Sequence, residues 1–564
     1  MTRPATRTRR TDWAWFAGVC LFAILLRIPI AAIPLERDEG EYAYIAQRWM
    51  QGDLPYRDAF NQKLPGAFVA YAVIERVFGT TPSAIHWGTH IYTLGTLALL
   101  FVLGRRLSST AGGLAASAFA AVMIADASVL GNAANTEVFM LLPLTGAMLA
   151  ACLAVERDAL GWAFGAGVLS AAALLCKQVA LPNVAFYGLL MAVATRRRVN
   201  SALLFLLGVS CMLLPVVGYF ALHGALYDFY DATIGHNLRY AAQRSLAAYP
   251  SILWRGGKPF LYTFWPLMLL AVAQVGSGVW GVGGRVSVNG GRARHPTPHT
   301  PHPTPRSRRP TLLVLAWFAA SFLGTASGGY FEAHYFMQLI PPLAMLAGMC
   351  VHAMNLPGLT RLGARPARAV LVAAVILVAI LGKPWYYLPG DPDAKARRLY
   401  GNNPFVESAA VGRFLAAHSE PADTIFVLGS EPQILYYAER KSASRYIIAY
   451  PLVTAFADAR ERQHVVIDEL QRLRPRLIVT VFVDTSFGSG SPDAPTDLLE
   501  TVWDTLQASY RFVAVVPFAT DGSPHLVTGE EAQQLWARDP EWYGRRPWCS
   551  LAIWERKDTS AAEH

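Results

Sequence analysis

The chain has 564 residues, of which 53% are hydrophobic and only 16% charged. A soluble enzyme of this size carries about a quarter charged residues, so a wholly soluble class is excluded. The net charge is +10, yet the basic residues fall in short loops between apolar runs, which is a topology pattern and not a nucleic-acid surface.

The apolar residues gather into runs of about 17–25, the length of a helix that spans a bilayer. Hydropathy places about eleven spans, near residues 13–33, 84–104, 111–130, 136–155, 160–176, 180–195, 201–222, 258–283, 311–327, 335–354 and 368–385. Runs of this length without alternation fit only helices, because lipid offers the backbone no partner. The first run follows Arg3, Arg7, Arg9 and Arg10. It lacks a small-residue cleavage site and further spans follow it, so a retained first helix is expected. Cys20, Cys152, Cys176, Cys211, Cys350 and Cys549 are scattered. They have no metal-ligand spacing and read as small buried residues.

Alternate loops differ in charge. One set holds Arg9 and Arg10, Arg105 and Arg106, Arg157, Arg196 to Arg198, Arg285 to Arg309, and Arg361, Arg365 and Arg368. This set is expected in the cytoplasm of a bacterial cell, with the N-terminus. The other set, segments 34–83, 131–135, 177–179, 223–257, 328–334 and the chain after 386, is acidic or mixed and is expected outside the inner (plasma) membrane.

Within 34–83, Glu41–Met50 and Ala67–Phe78 carry helical apolar stripes, separated by Gly52, Pro55 and the turn Lys63-Leu64-Pro65-Gly66. Two amphipathic helices in the membrane interface are expected. Segment 284–310 is rich in Pro, His and Arg and reads as a disordered cytoplasmic linker, its His295, His299 and His302 included. The expected organisation is therefore a mostly α-helical membrane domain over 1–385, interrupted by that linker, and an extracytoplasmic α/β domain over 386–564. The β-branched runs Thr424–Leu428 and Leu477–Val483 alternate there with helical patterns over 457–473 and 496–509. Glu431, Tyr436, Tyr437 and Asp484 stand at element ends in this domain with the weight of ordinary surface residues.

Charged residues that interfacial helices cover are the candidates for chemistry. Glu36-Arg37-Asp38-Glu39-Gly40-Glu41 follows the first span. A covered carboxylate there can take a proton from an acceptor hydroxyl or hold a divalent cation against a phosphate. Asp38 and Glu39 point about 100° apart on a helix, so one faces a site and the other a structural partner. The plainer alternative makes Asp38 the N-cap of a helix over 41–50. Glu137, in Asn135-Thr136-Glu137, is a second acidic point on the same side. Lys63, Lys177, His334 and Arg239 are the cations available to an anionic leaving group there.

The segments Asp38–Gln47, Gly52–Asp58 and Asn61–Gly66 resemble the first outer loop of bacterial GT-C glycosyltransferases, of the glycosyltransferase family 39 type that includes protein O-mannosyltransferases and aminoarabinose transferases. Thr136-Glu137 and Tyr330–Pro342 are similar to the same family, and the resemblance covers about residues 10–385. It implies a GT-C-like helical bundle that transfers a sugar from a polyprenyl-phosphate donor to a protein, lipid or glycan acceptor at the outer face. It implies Asp38 as the essential carboxylate, Glu137 as the second acid and Lys63 near the donor phosphate, with Leu64 where the family has proline. It brings no set of metal ligands, which leaves metal dependence open. The alternatives are a polytopic transporter or lipid flippase, and a non-catalytic scaffold. A transporter places its charges near the bilayer midplane, whereas here they gather at the outer ends.

Overall fold

The structure, a computed structural model, describes residues 10–557 except 244, 278–304, 355–362, 455, 489–493, 519–524 and 539–547. The bundle consists of α1 (Arg10–Arg27), α2 (Arg37–Met50), α3 (Gly66–Phe78), α4 (Pro82–Leu107), α5 (Thr110–Ala125), α6 (Thr136–Arg157), α7 (Leu160–Cys176), α8 (Leu181–Ala194), α9 (Arg198–Leu222), α10 (Leu226–Tyr230), α11 (His236–Ala242), α12 (Tyr249–Val275), α13 (Pro305–Ala326), α14 (Ile340–Ala353) and α15 (Ala364–Leu381). Each expected span falls on one of these helices. Among the described residues, six stretches are long and apolar enough to cross a membrane: Arg10–Ile30, Pro82–Leu107, Thr136–Arg157, Arg198–Leu222, Arg309–Ala326 and Ala333–Ala353. The chain is a multi-pass membrane protein.

The remaining expected spans are short or broken. Helices α5, α7, α8 and α15 are apolar but have 10–17 residues in their spanning stretches. Helix α12 loses helical geometry at Phe264, two residues before Pro266, where proline removes a backbone donor and crowds the preceding turn. The expected linker falls outside the described residues as far as 304, together with His295, His299 and His302; from Pro305 the chain is helical. Leu203, Leu206 and Leu214 on α9 and Trp265, Leu269 and Val272 on α12 are exposed. An apolar exterior of this kind suits a lipid solvent.

The loops divide between two ends of the bundle. At one end Arg106 pairs with Glu156 at 3.0 Å. At the other, α2 and α3 form the two helices expected over 34–83. Tyr71 on α3 donates to the Ala134 carbonyl at 2.9 Å, and Gln178 donates to the Gln62 carbonyl at 2.8 Å. The loops before α3, before α6 and after α7 are thereby tied into one layer.

After α15 the chain runs through α16 (Pro384–Tyr387), α17 (Pro392–Tyr400), α18 (Phe405–Ala417), β1 (Thr424–Leu428), α19 (Pro432–Ala438), β2 (Lys441–Ser442), α20 (Tyr450–Val453), α21 (Ala459–Leu473), β3 (Leu477–Val481), α22 (Asp497–Ser509), β4 (Tyr510–Pro517), β5 (Val527–Thr528), α23 (Gly529–Arg538) and β6 (Cys549–Arg556). The strands form one sheet in the order β2-β1-β3-β6-β4-β5. Strand β1 pairs in parallel with β2 and β3, and the β3–β6, β6–β4 and β4–β5 pairs are antiparallel. The α/β region presses on α2. A Cβ on Gly40 would lie 2.4 Å from Gln433 Cβ and 2.6 Å from its backbone nitrogen. Overpacking at such a contact costs about 1–3 kcal/mol. Gly40→Ala is therefore expected to lower the thermal unfolding temperature of the purified protein, and an unchanged temperature would show that the contact carries no load.

Candidate active site

Helix α2 begins earlier than the apolar pattern indicates, and its cap is Glu36 instead of Asp38. The Glu36 carboxylate accepts from the Asp38 N–H at 3.0 Å, and the Glu39 carboxylate accepts from the Glu36 N–H at 3.2 Å. This reciprocal capping box satisfies two of the free donors at the helix start. Asp38 is left in the first turn, half-buried, and among the described residues its carboxylate accepts only a long 3.4 Å bond from the Tyr42 hydroxyl.

Glu39 faces inward and is fully buried. One of its oxygens accepts from the Ala134 N–H at 2.7 Å and contacts His86 Nε2 at 2.9 Å. His86 Nδ1 lies 2.9 Å from the Ala31 carbonyl. The ring meets an acceptor at both nitrogens, so a proton must lie in the Glu39–His86 contact. Glu39 therefore joins α2 to α4 and to the loop before α6, and its side chain is fully engaged.

That loop delivers Glu137, in the first turn of α6 and fully buried. Lys177 donates to Glu137, and its ammonium lies 3.9 Å from the centre of the Tyr335 ring. His334 Nε2 is 3.9 Å from the same Glu137 oxygen. The turn expected at Lys63–Gly66 packs against the end of α7, where a Cβ on Gly66 would lie 2.6 Å from the Leu175 carbonyl oxygen. Glycine is the residue that permits this approach, and the approach brings Lys63 beside Lys177. Lys63 is only 9% exposed. Its charge acts on Glu41, Glu137, Lys177 and His334, and that of Asp38 acts on Lys177, His334 and Tyr335. Neither Asp38 nor Lys63 forms an ion pair among the described residues. Asn61 Nδ2, both side-chain polar atoms of Asn135 and His334 Nδ1 are buried without hydrogen-bond partners.

Asp38, Lys63, Glu137, Lys177 and His334 thus converge. Arg239 does not join them: it pairs with Asp231 at 2.7 Å and Asp458 at 3.2 Å, beside His236. His236 is held down to about 3 by burial and then by Arg462, Arg239 and Lys63, so it is neutral and accepts from Arg462 at 3.2 Å. No group of three or more His, Cys, Asp or Glu residues among the described ones is arranged to hold a metal ion.

Sequence reading missed three participants. Tyr335 lay inside a recognised segment, but its stacking on Lys177 needs a helix-to-helix contact. Glu41 is buried beside Asp38 and Lys63. Arg37 reaches the α/β region, where it donates to the Ser430 carbonyl, Glu431, the Tyr450 hydroxyl at 2.6 Å and Asn403 at 3.1 Å. Glu431 is therefore no surface residue: it is completely buried against Arg37.

Residues 62–220 match the family model described as dolichyl-phosphate-mannose-protein mannosyltransferase. The chain is similar in structure to ArnT from Cupriavidus metallidurans bound to undecaprenyl phosphate, with 17% identity, 92% of this chain and 98% of that one covered, and a TM-score of 0.57. It is also similar to the apo oligosaccharyltransferase of Archaeoglobus fulgidus, with 10% identity, 98% and 89% covered, and a TM-score of 0.55. The fold is that of the GT-C glycosyltransferases. No curated protein sequence matches this chain. In this GT-C bundle the converging residues occupy the layer where the interfacial helices meet the α/β region.

Two outcomes are expected from this geometry. Breaking the buried Arg37–Glu431 pair with Arg37→Met leaves an uncompensated carboxylate and should cost about 3–5 kcal/mol in denaturant unfolding; Arg37→Met with Glu431→Leu should recover much of that loss. Burial, then repulsion from Asp38, pushes the Glu41 carboxyl up to about 8, with Lys63 and Arg37 opposing. An acid raised on folding contributes stability that is whole below its unfolded value of about 4.3 and is lost as pH rises through the folded value. Glu41→Gln should therefore flatten the fall in melting temperature between mildly acidic and mildly alkaline buffer, and an unflattened curve would assign the pH dependence elsewhere.

Proposed function

We propose that this protein is an integral membrane glycosyltransferase that moves a sugar from a polyprenyl-phosphate donor to an acceptor hydroxyl on the extracytoplasmic face of a bacterial inner membrane. The observation that carries the reading is the convergence of Lys63, Lys177 and His334 with the Asp38 and Glu137 carboxylates, Asp38 and Lys63 forming no ion pair among the described residues. A cation without a paired carboxylate is open to an arriving phosphate, which accepts charge-assisted hydrogen bonds from it. Lys177 and His334 add positive character, and Glu137 orients Lys177. The similarity to an ArnT bound to undecaprenyl phosphate gives that phosphate a lipid carrier.

The chemistry is an inverting displacement. The acceptor oxygen forms a bond to the anomeric carbon as the bond from that carbon to the phosphate oxygen breaks. The acceptor proton passes to Asp38, and the polyprenyl phosphate leaves carrying the electron pair. Lys63 and Lys177 stabilise the charge that grows on the departing phosphate. Asp38 suits the proton transfer because the capping and anchoring of α2 rest on Glu36, Arg37 and Glu39. The basic loops at the opposite end of the bundle support a cytoplasmic N-terminus and an α/β region outside.

Mass-spectrometric profiling of glycans and lipids in a strain lacking the gene should reveal one missing sugar. Complementation with Asp38→Asn should leave transfer lower by about 10²–10⁴-fold, the usual worth of a general base. Lys63→Ala should lower it by about 10²–10³-fold. Wild-type transfer by a well-expressed, folded Asp38→Ala protein would refute this assignment.

A further inference from the structure

The displacement sets one proton free. The acceptor hydroxyl gives it up, and the departing phosphate, a monoester once its bond to the sugar has broken, has a place for it. Asp38 takes that proton and must lose it again before the next turnover. Glu41, which the displacement does not use, stands three residues after Asp38 on α2. The two carboxyl groups therefore project from the same helix face, with Cβ atoms about 5–6 Å apart.

Glu41 is 5% exposed, and it forms no hydrogen bond or ion pair among the described residues. The charges that act on it are those of Asp38 and Arg37 on its own helix and of Lys63 from the loop before α3. The Tyr42 hydroxyl, next to it on α2, is directed at Asp38, and Arg37 is engaged with Glu431. Two carboxyl groups this close do not both ionise readily, and the pair tends to keep one proton. Asp38 is half-buried, whereas Glu41 is almost wholly buried. Burial penalises the charged form, so the proton resides on Glu41. Consistent with this, burial and then Asp38 push the Glu41 carboxyl up to about 8. A protonated carboxyl is a hydrogen-bond donor. Beside Lys63, it has an oxygen of the lysine-bound phosphate to donate to.

We propose that Glu41 is the acid of the transfer: it gives its proton to the departing polyprenyl phosphate, and Asp38 replaces that proton with the one taken from the acceptor. This role rests on the sugar transfer proposed above. As the bond from the anomeric carbon to the phosphate oxygen breaks, the electron pair goes to that oxygen. The Glu41 O–H bond breaks, and its proton passes to the phosphate. Glu41 is then a carboxylate and Asp38 a carboxylic acid. One proton shift between these neighbours on one helix face restores both. The pair holds one proton before the step and one after it, and the sum is the acceptor's proton delivered to the phosphate.

The test uses the full-length protein in detergent and undecaprenyl phosphate as the probe, with affinity measured by isothermal titration calorimetry at pH 7 and pH 9. A Glu41 that donates to the bound phosphate is harder to ionise than in the empty site, so affinity is held at pH 7 and lost as pH rises through the value of the empty site. Wild type is expected to lose about tenfold more affinity over this range than Glu41→Gln. Glu41→Asp, which keeps a titrating carboxyl, should retain the larger loss. In the strain lacking the gene, Glu41→Gln should lower transfer by about 10²-fold, the lower end of the usual worth of a general acid. Equal pH dependence in wild type and Glu41→Gln, or wild-type transfer by Glu41→Gln, would overturn this role and leave the transfer reading standing. Failure of undecaprenyl phosphate to bind at either pH would overturn both.

Discussion

The first turn of α2 is held from three directions by three consecutive kinds of contact. Glu36 caps it along its own axis, Arg37 reaches out to the α/β region, and Glu39 reaches into the bundle toward His86 and Ala134. Successive helix residues point about 100° apart, so one short turn can address all of these partners. The same arithmetic leaves Asp38 directed elsewhere. Its carboxylate is excused from structural duty because its neighbours perform it. A carboxylate with no cap to make stays available to what binds, provided the turn carrying it cannot drift.

The positive side of the cluster is built differently. Lys177 is tethered by Glu137 and Tyr335, so its ammonium is directed and partly neutralised. Lys63 is positioned through its backbone: its N–H donates to Asn61 at 2.7 Å, and its carbonyl accepts from Tyr56 at 2.9 Å. Its side chain forms no ion pair among the described residues. One cation is thus paired in advance and the other is left to pair with what binds. That division favours an anion that arrives and departs over a permanently bound one, because full prior neutralisation would leave a phosphate nothing to gain.

Much of this was legible in the sequence, for identifiable reasons. Long apolar runs can be only helices in lipid, so every expected span coincides with a helix, although the bend at Phe264 and the shortness of α5 and α8 depend on packing that hydropathy does not encode. Strand β1 coincides with its expected range, and β3 stops two residues short of it, because β-branched runs mark buried parallel strands. Strands β4 and β6 were not foreseen. Their pairing joins residues about forty positions apart, and sheet order is a non-local property. At the site, residue types were informative and partners were not. Glu431 looked ordinary because the guanidinium that buries it lies 394 residues earlier. The cap was misjudged because the apolar stripe begins after Glu41, whereas the hydrogen bonds begin at Glu36.

The way Arg37 enters the α/β region bears on what that region is for. Chain connection runs from β1 outward to β2 and then back past β1 to β3, so the direction of winding reverses between β1 and β3. In open α/β sheets the crevice at the carboxyl ends of such strands is where a ligand normally sits. Ser430 follows β1 and Ser486 follows β3, and the two are joined at 2.7 Å. The Arg37 guanidinium lies against Ser430, Glu431 and Tyr450 at this place, so a side chain from α2 fills the position that a small molecule occupies in a free-standing domain of this topology. The sheet takes the first turn of α2 in place of a ligand. Because Arg37 is covalently next to Asp38, the recognition that seats the α/β region also sets the turn on which the proposed base stands.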